Sequence, residues 1–226
     1  MQTFAPLTSA HLLWLGITVA VVMLPLVLAR WDRRAGAVSL WVLVVGAASG
    51  VVLLITERGT ARWQDALPLH LCDLVLGIVA LALATRWQFA YELAYFYGLA
   101  GSTQALLTPD LSGAFPVWRL AYFFGAHGAV IAAVLYLTLH EGMRPRPRST
   151  RYAMAGLAVY VAAIGSLNAL LDTNYGYLCQ KPAHPSLLDW LGPWPWYIGA
   201  MGAIGLVCFE LLAVLARLLP LTPPRT

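Results

Sequence analysis

Apolar residues run along this chain in stretches of about 20, and the polar positions that break those stretches set its organisation. Seven stretches stand out: His11 to Ala29, Ala37 to Thr56, Leu67 to Thr85, Phe89 to Leu107, Trp118 to His140, Tyr152 to Asp172 and Trp194 to Leu218. At 1.5 Å rise per residue, each can cross the ~30 Å hydrocarbon core of a bilayer as a helix. Only Arg86, Trp87 and Gln88 separate the third and fourth, which predicts a tight hairpin. No repeat, low-complexity tract or soluble domain interrupts the series. The pattern predicts an all-α integral membrane protein, a seven-helix bundle forming one transmembrane domain over residues 1–226.

Composition agrees. Of 226 residues, 60% are hydrophobic and 11% charged. Soluble domains carry about 25% charged residues, so this chain has too little polar surface to face water. The first apolar stretch has no basic segment ahead of it and reads as a retained span, not a cleaved signal peptide.

Charge supplies the orientation. Ten arginines fall on one side: Arg30, Arg33, Arg34, Arg86, Arg144, Arg146, Arg148, Arg151, Arg217 and Arg225. Arg58, Arg62, Arg119 and Lys181 fall on the other. The positive-inside rule makes the first side cytoplasmic, with the N-terminus outside and the C-terminus inside. An odd number of spans satisfies that independently. The net charge of +4 therefore reads as topology control, not as a nucleic-acid surface. Trp31, Trp63, Trp87, Trp118, Trp190 and Trp194 sit near the proposed boundaries, as an aromatic belt would.

Within the spans, polar residues gather toward the outer side. The third span carries His70, Cys72 and Asp73, with His70 and Asp73 three apart on one helix face. The fourth ends in Ser102, Thr103 and Gln104, followed by Thr108 and Asp110. The fifth takes His127 about 14 Å down, near the bilayer centre. The sixth brings Asn168 and Asp172, four apart, and leads into Asn174, Cys179, Lys181 and His184. The inner half has only Glu92, near its interface, and Glu210, expected to pair with another helix. Intramembrane polar groups are functional candidates, although such groups also serve as hydrogen-bonded links between helices.

Several residues admit more than one reading. His127 is an acid/base or ligand, or a core histidine bonded to a neighbour. His70 is a base oriented by Asp73, or half of a local pair. Cys72 is a nucleophile, a small buried hydrophobe, or a disulfide partner of Cys179. The three cysteines have no metal-ligand spacing, and ligation of one metal or haem by His70 and His127 is strained by their ~9 Å difference in depth. No cofactor is expected.

Four strings carry a resemblance: Leu67-Pro-Leu-His-Leu-Cys-Asp73; Phe96-Tyr-Gly-Leu-Ala-Gly-Ser-Thr-Gln104 with Thr108-Pro-Asp110; Phe124-Gly-Ala-His127-Gly128; and Asn174-Tyr-Gly-Tyr-Leu-Cys-Gln-Lys-Pro182. Together they resemble the bacterial YwaF-like integral membrane family, from the second span to the loop after the sixth. That family is more distantly similar to eukaryotic transmembrane acyltransferases that remodel ether phospholipids, and more loosely to membrane hydrolases of branched fatty-acid esters. The resemblance implies a multi-pass protein of the bacterial cytoplasmic membrane, with membrane lipids as partners. It implies a Cys or Thr nucleophile working with a His, and carries over to His70 and His127.

The expected function is lipid acyl transfer or ester hydrolysis on a phospholipid or fatty-acid ester, in the outer half of the bilayer. Cys72 or Thr103 would attack, His127 or His70 would take the proton, Asp73 would orient, and Gln104 or Asn168 would stabilise the oxyanion. Asp172, Asn174 and Lys181 would contact substrate. A transporter or small-molecule binder using the same polar layer is the alternative.

Overall fold

A computed structural model describes residues 7–58, 62–111, 116–182 and 186–218. His184 and Arg225 lie outside the described residues. All regular structure among the described residues is helical. The α-helices are α1 (Ser9–Trp31), α2 (Arg33–Arg58), α3 (Leu71–Thr85), α4 (Gln88–Leu93), α5 (Leu99–Leu107), α6 (Val117–Leu139), α7 (Ser149–Leu171) and α8 (Trp196–Leu218). Five of them, α1, α2, α6, α7 and α8, are long and apolar enough to cross a membrane. α3 has 15 residues and is shorter than a full crossing. α4 and α5 join through a π-turn at Ala94–Gly98 into one helical run from Gln88 to Leu107.

Local chemistry explains the breaks. Asp32 alone separates α1 from α2, and its carboxylate accepts the Arg34 N–H at 2.8 Å. Arg86 ends α3 in the left-handed region at φ 55°, which turns the chain at once into α4. α1, α2 and α6 pack as one layer, and α3 and the α4–α5 run close on α6. Gly98 lies so close to α6 that an added Cβ would come within 2.8 Å of Val130. α7 and α8 pack on each other and touch the rest at fewer places.

The cytoplasm-facing end predicted from charge is tightly packed. Tyr91, Tyr95, Phe96, Tyr136 and Leu137 are buried in the main core. Buried Glu92 accepts from Arg146 Nε at 2.8 Å, Arg146 Nη2 at 2.9 Å, the Arg146 backbone N–H at 2.9 Å and Gln88 Nε2 at 3.0 Å. That pairing holds the Arg146 guanidinium above its ordinary pKa. A single carboxylate thus folds the α6–α7 loop back under the bundle.

Two expectations need correction here. The third span does not begin at Leu67: His70 is the residue before α3, with φ −63° and ψ 147°, so His70 and Asp73 do not share a helix face. Pro68 biases Leu67 toward extended backbone, and the chain stays non-helical through His70. Glu210, expected to pair with another helix, is exposed on α8 and enters none of the ion pairs among the described residues.

Candidate functional site

The late start of α3 places Cys72 and Asp73 in the helix's first turn. There, N–H groups lack intrahelical partners and the helix dipole favours negative charge. The Leu67–His70 segment is held from two sides. Tyr160 on α7 donates its hydroxyl to the Leu69 carbonyl at 3.0 Å. The Gly176 N–H donates to His70 Nδ1 at 3.4 Å, and the His70 ring meets Tyr175 edge-on at 5.2 Å.

A cavity of about 550 Å³ opens beside this segment, within the size range of ligand sites. His70, Cys72 and Asp73 line it from the α3 side, and His127 lines it from α6. Gly101, Ser102 and Gln104 contribute from α5, and Tyr122 and Arg119 from α6. All four residues read as catalytic in the sequence therefore border one space.

His127 is buried, and its Nδ1–H donates to the Phe123 carbonyl at 2.7 Å. The neutral ring then keeps Nε2 as an acceptor, the form a general base needs. Arg119 Nη2 pairs with Glu57 at 2.8 Å, which ties the start of α6 to the end of α2.

The loop after α7 straps the cavity's outer side. The Tyr175 hydroxyl donates to the Gln64 carbonyl. The Tyr177 hydroxyl donates to Asp110 Oδ2 at 2.5 Å, and the Tyr197 hydroxyl donates to the Tyr177 carbonyl at 2.5 Å. Tyr177, Asp110 and Gly176 all line the cavity.

Other expected site residues stand elsewhere. Thr103 is exposed and turned from the cavity; its buried neighbour Ser102 lines it instead. Asn168 is buried, but its amide is committed to the strap: Nδ2–H donates to the Tyr175 carbonyl, and Oδ1 accepts from Thr173 and the Tyr175 N–H, each at 2.9 Å. Asp172 is not on the Asn168 face, because it ends α7 at φ 52° with its side chain exposed. Asn174 organises the strap by accepting from the Cys179 and Gln180 N–H groups at 3.0 Å, and lines a second, more open pocket shared with His70. Lys181 lies over the Tyr197 ring at 5.6 Å. Cys72 and Cys179 are thiols, so the disulfide reading is set aside. Among the described residues no group of three or more His, Cys, Asp or Glu is placed to hold a metal ion.

Tyr122, Arg119 and the strap tyrosines line or close the site without having been given a site role from the sequence. The Tyr-Gly-Tyr string was the one available signal for the strap.

A family profile matches residues 6–213, nearly the whole of this arrangement. The chain belongs to the TMEM164 family. No curated protein and no solved structure matches it. As a TMEM164 family member it is a multi-pass helical membrane protein.

Proposed function

We propose that this TMEM164 family protein is a membrane-embedded lipid enzyme, an acyltransferase or ester hydrolase working in the outer half of the bilayer. One observation carries the reading: Cys72, His70, Asp73 and His127 border a single ≈550 Å³ cavity whose other walls are mostly apolar. The motif likeness to bacterial YwaF-like proteins and ether-phospholipid acyltransferases points the same way.

The topology in this reading has seven crossings. The five long helices are joined by short α3 and by the α4–α5 run, with the N-terminus outside and the C-terminus in the cytoplasm of a bacterial cell. The cavity then faces the outer leaflet, where acyl-chain substrates already reside.

The chemistry has two halves. The Cys72 sulfur attacks the ester carbonyl, and His127 Nε2 accepts the thiol proton. A C–S bond forms, the ester C–O bond breaks, and the departing alkoxide takes the proton back from His127. An acceptor hydroxyl, or water, then loses its proton to the same nitrogen and attacks the thioester. The acyl group leaves sulfur, and the thiol is restored. His70 and Gln104 hydrogen-bond the carbonyl oxygen as charge develops on it. Asp73 stabilises the imidazolium.

Reconstituted protein given a fluorescent-acyl phospholipid and a lysolipid acceptor provides the test. Wild type forms acylated acceptor or free acid, and Cys72→Ala lowers turnover by about 10³-fold. Iodoacetamide blocks wild type, and lipid substrate slows the block. Equal turnover by wild type and Cys72→Ala would overturn the reading.

A further inference from the structure

Among the described residues, Glu210 of α8 has no ion-pair partner. α8 buries only Tyr197, Phe209, Ala213 and Ala216. The Glu210 side chain is exposed, and none of the described ion pairs includes it. It lies about 21 Å along α8 from Trp196 and about 12 Å from Leu218, at hydrocarbon depth in a spanning helix. A carboxyl facing lipid there is costly and calls for a partner.

Its neighbours in phase are informative. Gly199, Ala203, Leu206, Glu210, Val214 and Arg217 are all exposed. At about 100° per residue they fall within roughly 60° of one line along the helix. A Cβ built on Gly199 would meet nothing within 4 Å, so the outer end of this line is open to a close backbone approach.

We propose that this stripe docks against the same stripe of a second copy, with the two Glu210 carboxyls hydrogen-bonded to each other. A protonated carboxyl is both donor and acceptor, so two of them can close a pair of hydrogen bonds. It is therefore complementary to itself. A two-fold axis along the membrane normal brings identical residues together at identical depth. A cationic partner would need a basic group at that depth. The exposed Arg30, Arg33, Arg34, Arg151 and Arg217 of a second copy all sit at helix ends. What a second copy offers there is Glu210. Small Gly199 and Ala203 let the helices approach, and Arg217 extends its head to the interface.

Full-length protein labelled with a single dye and reconstituted in phosphatidylcholine vesicles tests this by photobleaching-step counts over a lipid dilution series. Wild type is expected to dimerise. Glu210→Leu weakens the dimer by about 10-fold or more, whereas Glu210→Gln, which still donates and accepts, stays close to wild type. Ala203→Phe weakens it too, and Ile204→Phe, about 100° around the helix, does not. Monomeric wild type at every dilution overturns the proposal, as does a Glu210→Leu dimer as tight as wild type. Equal weakening by the two phenylalanine variants rejects the assigned face. Helical circular dichroism and monodisperse elution confirm that each variant is folded.

Discussion

The imidazole of His127 is fixed by Phe123: Nδ1–H donates to the Phe123 carbonyl one helical turn earlier, at 2.7 Å. The bond uses the helix's own backbone, because carbonyls near the start of α6 can accept a second hydrogen. It settles the tautomer without a carboxylate. A buried histidine so held can accept a proton at Nε2 and return it.

That arrangement predicts a split between chemistry and binding. His127→Ala should lower kcat by about 10²–10⁴-fold, the usual worth of a general base, with KM little changed. His127→Gln, which fills similar space but cannot cycle a proton, should be as inactive as the alanine variant. Acyl-transfer kinetics in vesicles read both values. Equal retention of kcat in both variants would leave His127 as a packing residue.

In the proposed reaction the strap is predicted to set the balance between acceptors. Tyr177 holds Asp110 across the cavity's outer side, and Asn168, Tyr175 and Tyr197 hold the strap in place. A closed outer side limits water at the thioester. Tyr177→Phe removes one hydrogen bond and keeps the ring. It is predicted to raise the share of free fatty acid several-fold over acylated acceptor, with total substrate consumption nearly constant. Product ratios by mass spectrometry check this, and an unchanged ratio would show that the strap does not control water.

How much of this was legible depends on the scale of the interaction. The long helices follow from apolar length alone, a property summed over 20 residues and insensitive to detail. The residues around the site follow from single-residue phase, which detail decides. The π-turn at Ala94–Gly98 adds a residue to one turn and rotates everything beyond it by about 100°. Ser102 faces the cavity, and Thr103, named as a possible nucleophile, does not. The start of α3 at Leu71 likewise puts Cys72 in a first turn, four residues later than a span beginning at Leu67 would start. Asn168 looked like a substrate contact because its partners, the Tyr175 backbone and Thr173, are set by a loop whose path no periodicity encodes.

Gly101 offers a test of what fills the cavity. It lines the space, and a Cβ built on it would meet nothing within 4 Å. Gly101→Leu should therefore fold normally while filling part of the volume available to substrate. Turnover of long-chain esters is predicted to fall about 10-fold relative to short-chain esters, the scale expected for a few excluded methylenes. Competition between octanoyl and palmitoyl substrates measures the ratio directly. An unchanged preference would put the acyl chain elsewhere.

The opposite end of the bundle yields the last prediction. Glu92 is buried and accepts four hydrogen bonds, three of them from Arg146. Removing it leaves the part-buried Arg146 backbone N–H without its acceptor and the Gln88 amide with only its bond to the Arg144 carbonyl at 2.7 Å. Stranded donors of that kind cost about 1–3 kcal/mol together with the lost packing. Glu92→Ala should lower the thermal midpoint in detergent, and Glu92→Gln, which keeps one acceptor oxygen, should lower it less. The distance from the cavity matters to the interpretation. The fully packed aromatic layer of Tyr91, Phe96 and Tyr136 lies in the core above Glu92, so the surviving folded fraction should turn over substrate at the wild-type rate per molecule. A thermal-shift assay paired with iodoacetamide titration of Cys72, in a background carrying Cys179→Ser and Cys208→Ser, separates the two quantities. A loss of rate per titrated thiol would mean that the inner end is coupled to the site, against the rigid plug this packing describes.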